Sequence, residues 1–179
     1  MTEEGSRSSD EGDRAPQLGY GGASKEAHFV AAPLLTAAAL SLAGVVAGAD
    51  TAFRWPGATL ILLVITAMTL IFSMQLAYNA RVYLFTYSEV KDHYDGLPKA
   101  TATEKRMREE YTDARRIWRS RLTPAVHTYN VGTLLLGAGV AASLVPPDGG
   151  EEAPARWTAA AIVFIGTIAD GIWIVRKKP

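Results

Sequence analysis

The sequence predicts an all-α integral membrane protein: a four-helix bundle of four transmembrane helices with both termini inside. A cytoplasmic antiparallel helical hairpin, residues 81–122, is expected between spans 2 and 3. Three observations predict this. Four apolar blocks fall at about residues 29–49, 57–80, 125–145 and 157–175. Each approaches the roughly 20 helical residues that cross a hydrocarbon core about 30 Å thick. Together the blocks hold one formal charge, Asp170. Lys and Arg alternate in density between the blocks, with sixteen of the 18 in the N-terminal tail, the long middle segment and the C-terminus. Cytoplasmic segments carry the basic excess, so those three are placed inside a cell membrane crossed several times.

The blocks read as helices because Ala and Leu dominate and no alternation is visible. Inside lipid the backbone must satisfy its own hydrogen bonds, which a helix does within one segment. The mean hydropathy of +0.08 hides this pattern, because charged residues are collected between the apolar blocks. The 25 or so residues before the first block are rich in Ser, Gly, Asp and Glu. Too little apolar surface is present there to offset ordering entropy, so residues 1–25 are expected to form a disordered cytoplasmic tail. Residues 26–179 form the membrane domain. The tail is net acidic and the block after it is too long for a signal peptide.

The middle segment is the most informative. Leu76, Ala80, Tyr83, Tyr87, Val90 and Tyr94 recur at 4-3-4-3-4 spacing, a stripe on one helix face. The second span is therefore expected to run on into the cytosol as far as Tyr94. Asp95, Gly96 and Pro98 then make a turn. A returning helix starts at Thr101, where Thr101 and Glu104 match a capping box. It repeats the stripe with Met107, Tyr111, Ala114 and Trp118 and is expected to end by Leu122. Thr123 and Pro124 read as the cap and first residue of the third span. The two stripes can cover each other, and that reading is favoured. The sharper one is that Tyr83, Tyr87, Tyr94, Tyr111 and Trp118 form a surface for a cytoplasmic protein partner. Arg115, Arg116, Arg119 and Arg121 lie near the membrane and are expected to meet anionic lipid headgroups.

Polar residues within the spans are few. Asp170 lies about two turns from the basic C-terminus. Gln75, Asn79, His127 and Asn130 lie at a similar depth, so the five are candidates for one polar cluster. Hydrogen-bonded packing between helices is the favoured role, and a proton or cation site the alternative. Gly44-x-x-x-Gly48 and Gly137-x-x-x-Ala141 should let backbones approach closely, and small-residue faces leave room for a homo-oligomer.

His28 and His127 each open a block that leads to an Arg-Trp pair, Arg54–Trp55 and Arg156–Trp157, a faint 2+2 repeat. Paired histidines can ligate haem, but these lie at the membrane edge, so no cofactor is expected. The chain has no cysteine, which excludes disulfides and thiolate chemistry. Balanced charge, 18 basic against 18 acidic, gives no reason to expect nucleic acid. No phosphate loop, metalloprotease motif or nucleophile elbow occurs. The expected function is a non-enzymatic anchor, scaffold or accessory subunit in the lipid bilayer that presents its hairpin to a partner. The alternative is an oligomeric pore-forming or transport protein, including a membrane-disrupting effector, built around Asp170.

Overall fold

The computed structural model describes residues 26–83, 101–148 and 153–176. It is all-helical, with no strand among the described residues. Helix α1 spans Ala27–Gly48. Its first turn, Ala27–Ala31, is π-helical and the remainder, Ala32–Gly48, is α-helical. The wide turn stands just before Pro33, whose missing N–H denies Phe29 its regular bond. A short 3-10 turn, Asp50–Ala52, leads to helix α2, Pro56–Arg81, which Pro56 opens at a position where its absent N–H costs nothing. Helix α3 spans Thr101–Leu144 and helix α4 spans Ala153–Arg176.

Among the described residues three helices are long and apolar enough to cross a membrane: α1, α2 and α4. The third apolar block is the C-terminal part of α3. Its unbroken low-polarity run begins only at Val131, after His127, Tyr129 and Asn130, and reaches Leu144 in about 21 Å of helix.

Two expectations about helix ends need correction. The chain does not break at Thr123–Pro124, because α3 runs 44 residues straight through Pro124. A proline inside a helix deprives one carbonyl, here that of Ser120, and costs about 3 kcal/mol. Packing on both sides of the proline offsets this, while the nearby hydroxyls bond to other carbonyls of the same helix. Ser120 Oγ donates to the Ile117 carbonyl at 2.8 Å, Thr123 Oγ1 to that of Arg119 at 3.0 Å, and Thr128 Oγ1 to that of Pro124 at 2.8 Å. On either side of the proline, Trp118, Leu122 and Ala125 are buried against the end of α2. The second correction is at that end. Helix α2 stops at Arg81, and the Tyr83 N–H turns back to the Ala80 carbonyl at 3.1 Å. The remainder of the expected continuation to Tyr94, the turn at residues 95–98 and the tail at 1–25 lie outside the described residues.

The central seam joins α2 to α3, antiparallel. Seven of the eight buried positions of α2 follow 4-3 spacing, Thr59, Leu63, Thr66, Leu70, Ser73, Ala77 and Ala80, and Ala67 is the eighth. Opposite them, Leu63 meets Gly139 and Leu70 meets Gly132. Both leucines are fully buried, at 0% exposure. A Cβ on Gly132 would stand 2.7 Å from Leu70 Cδ2, and one on Gly139 2.8 Å from Leu63 Cδ2. Seven residues further along each helix, Ala77 and Ala125 fall in one buried cluster. The seam is thus a heptad register with large residues set into glycine notches, the geometry that favours near-antiparallel helix packing.

Helix α1 lies along α2, where Ala43, Val46 and Leu63 form a second buried cluster. Helix α4 packs on α3 and leaves most of its surface exposed. The arrangement is therefore a three-helix core with α4 flanking one member. Gly44 and Gly48 have nothing within 4 Å of an added Cβ, so the first small-residue motif is not a helix contact here. At Gly137 the motif is one, because a Cβ there would press into the Thr167 side chain, with Thr167 Cβ at 3.0 Å. Thr167 is β-branched and its Oγ1 is bonded to the Val163 carbonyl at 2.8 Å, so it has little room to yield.

Gly137→Ala should therefore destabilise the α3–α4 contact by about 1–3 kcal/mol through overpacking. Gly44→Ala should be neutral or slightly stabilising through helix propensity. Thermal unfolding of the two variants in detergent, followed by circular dichroism, checks the contrast.

Candidate functional site

At one end of the fold, the connector end, the 49–55 link and the 145–148 turn meet. Arg54 forms an ion pair with Asp148 at 3.0 Å, and its guanidinium lies 5.6 Å from the centre of the Trp55 ring. Arg156 donates to the Ala52 carbonyl at 3.3 Å through both terminal nitrogens, and to the Ser143 carbonyl at 3.3 Å. Each arginine of the Arg-Trp pairs thus reaches across to the other half of the chain. The two tryptophans line an apolar groove of about 400 Å³ between α3 and α4, together with Ala138, Ala141, Ala160 and Phe164.

The opposite end, the arginine end, carries the polar and aromatic residues. Trp118 is 7% exposed and packs with Leu122 and Ala125 on Ala77 and Ala80; Leu76, Tyr83 and Val126 border the cluster. The Arg121 guanidinium lies 4.6 Å from the centre of the Tyr83 ring. The Arg81 guanidinium lies 4.9 Å from the centre of the Phe29 ring, on the first turn of α1. His28, in the π-helical turn, is 1% exposed, and its ring packs against Tyr129 with centroids 5.4 Å apart. The wide turn sets His28 inward and Phe29 outward.

The fold brings together some of the residues singled out by sequence and separates others. Tyr83 and Trp118 meet in one cluster, as two stripes that cover each other should. Trp118 is consumed by that contact and Tyr111 is half-buried, so the aromatic stripe faces inward where it is described. Tyr87 and Tyr94 lie outside the described residues. Gln75, Asn79, His127 and Asp170 are exposed and Asn130 is half-buried. Among the described residues no hydrogen bond joins any two of these five. Arg115, Arg116, Arg119 and Arg121 are all exposed but do not form one patch. At about 100° per residue, Arg121 stands on one flank of the Trp118 face, Arg115 and Arg119 on the other, and Arg116 behind.

Sequence reasoning missed Arg81 as a partner of Phe29, and missed the burial of His28 against Tyr129. No local pattern announces either, since the contacts join residues about 50 and 100 positions apart. The paired-histidine idea is not realised as a symmetric pair, because His28 is buried and His127 is exposed. Comparison with known protein families, with characterised proteins and with solved structures finds no match. Fold and site define the chain at the level of class, as an all-helical protein in which three helices could span a membrane.

Trp118→Ala should cost about 3 kcal/mol by leaving a cavity between α2 and α3. Hydrogen exchange should then show faster opening at Ala77–Arg81 than at Leu63–Leu70, which sit on the glycine notches.

Proposed function

We propose that this chain is a non-enzymatic membrane anchor that holds a stiff charged helix on the cytoplasmic side for a protein partner. In this reading all four apolar segments cross the cell membrane, the third through the C-terminal part of α3. Both termini and the arginine end face the cytoplasm. Sixteen of 18 basic residues on that side support the orientation. So do Trp55 and Trp157, half-exposed at the connector end, where an interface would hold indole rings.

The observation that carries the proposal is the continuity of α3. Its N-terminal half presents Arg106, Glu109, Glu110, Asp113, Arg115, Arg116 and Arg119, all of them exposed, and its C-terminal half packs on α2 and α4. One continuous helix joins the charged half to the packed half, with Pro124 as the place where it can bend. The partner surface moves accordingly, from the buried aromatic stripe to the charged faces of α3. The transport alternative needs its polar candidates to converge, and the exposed positions of Gln75, Asn79, His127 and Asp170 give it no support.

Because the chain lacks cysteine, single introduced thiols report sidedness cleanly. In intact cells a membrane-impermeant maleimide should label Ala52→Cys and spare Ser120→Cys until the cells are opened. The reverse pattern, or labelling of both from outside, overturns the topology. Crosslinking of the full chain in native membranes should recover a partner that is lost on charge reversal at Arg115 and Arg119. A partner unaffected by those reversals would remove the charged helix from the proposal.

A further inference from the structure

Arginines at the two ends of the fold are treated differently. At the connector end, Arg54 and Arg156 are satisfied by protein oxygens: the Asp148 carboxylate and the carbonyls of Ala52 and Ser143. At the arginine end, Arg81 and Arg121 have no oxygen partner among the described residues. Each instead rests on an aromatic ring, Phe29 at 4.9 Å and Tyr83 at 4.6 Å. An aromatic ring offers no oxygen acceptor, so the N–H donors of a guanidinium held beside it that point away from the ring are left for a ligand. The ring also limits the rotamers of a long side chain, so less entropy remains to be lost when an acceptor binds. Two exposed cations held this way, with no acceptor among the described residues, are complementary to a polyoxygen anion that accepts a planar fork of donors.

Their surroundings narrow the anion to one kind. Arg81 is the last residue of α2 and Phe29 lies in the first turn of α1, so the guanidinium stands where two of the apolar helices end. Just beneath it Phe29 is 37% exposed and Val30 56%, and Val82 at the helix end is 61% exposed. A ligand that meets this surface has negative charge above and apolar chains below. We propose that Arg81 and Arg121 form two aromatic-backed sites for the phosphate of an anionic phospholipid, in the leaflet at the arginine end. The inference rests on the membrane reading above. It goes beyond the general basic excess because it selects two arginines of the inner set by geometry and leaves Arg115, Arg116 and Arg119 as diffuse charge. It would also make the Trp118–Tyr83 junction lipid-dependent, since Arg121 and Trp118 grip the same end of α2.

The test uses the full chain in phosphatidylcholine nanodiscs, with phosphatidylglycerol titrated in and bound lipid counted by native mass spectrometry after gentle release. Arg81→Gln with Arg121→Gln should weaken phosphatidylglycerol retention about thirtyfold, at about 1 kcal/mol for each arginine held at the headgroup level. Arg81→Lys with Arg121→Lys keeps the charge but loses the planar fork, and should still lose at least half of that effect on the logarithmic scale. Arg115→Gln with Arg116→Gln should change retention by less than about twofold. Circular dichroism of each variant confirms that it is folded. Equal losses in all charge-removing pairs, or full retention in the lysine pair, would overturn the proposal in favour of diffuse attraction. Retention of phosphatidylglycerol no tighter than phosphatidylcholine overturns it outright. So does inorganic phosphate, if at low millimolar concentration it displaces the lipid. The readout does not depend on which way the chain faces, so failure of the thiol-labelling test and failure of this one are separately visible.

Discussion

Everything else in this fold depends on the seating of Leu63 and Leu70 in the notches left by Gly139 and Gly132. The two pairs are each seven residues apart and run in opposite directions, so they fix both the spacing and the register of α2 against α3. In a lipid surrounding, apolar side chains gain little by leaving one apolar medium for another, and helices associate through close van der Waals fit. A leucine with no Cβ opposite it lets the backbones close in and gathers many contacts at once. Once that register is set, the next heptad step puts Ala77 beside Ala125, and Trp118 beyond it closes over the end of α2.

Hydroxyl groups keep these helices compatible with a tightly packed seam. Thr36, Thr66 and Ser73 are buried or nearly so, and each donates to a carbonyl of its own helix, at 2.8 Å in every case. A polar atom that bonds back to its own turn carries no unsatisfied donor into the packed face. Hydroxyls around Pro124 bond back in the same way but leave the Ser120 carbonyl without its regular partner, so the continuation of α3 rests on packing. The local signal at Thr123–Pro124 is genuine, but it is weaker than the burial of Trp118 before it and Ala125 after it.

The candidate site was partly legible. The aromatic spacing around Tyr83 and Trp118 announced that these two would meet, because 4-3 recurrence in a charged background is a strong contrast. The Arg-Trp pairs hinted at a relation between the two halves, and the structure gives it substance as a crossed pair of arginine contacts between connectors. The proposed polar cluster was less legible. Depth along a helix can be counted from sequence, but the face on which Gln75, Asn79, His127 or Asp170 stands follows from how each helix is rotated against its neighbours. All four are exposed.

The sequence by itself determined the helical class, the approximate limits of the apolar segments and the concentration of basic residues in three of the five segments that flank them. These follow from composition over windows of about twenty residues, where hydrophobic contrast with the linkers is large. Only the tertiary structure decided which faces pack, that α3 is one helix and that α4 flanks the core. Within a segment where nearly every residue is apolar, the period that marks a buried face disappears, and size alone carries the information. A glycine opposite a leucine is a contact only once the two helices are in register, as Gly132 and Gly139 are; the equally conspicuous Gly44 and Gly48 face open space.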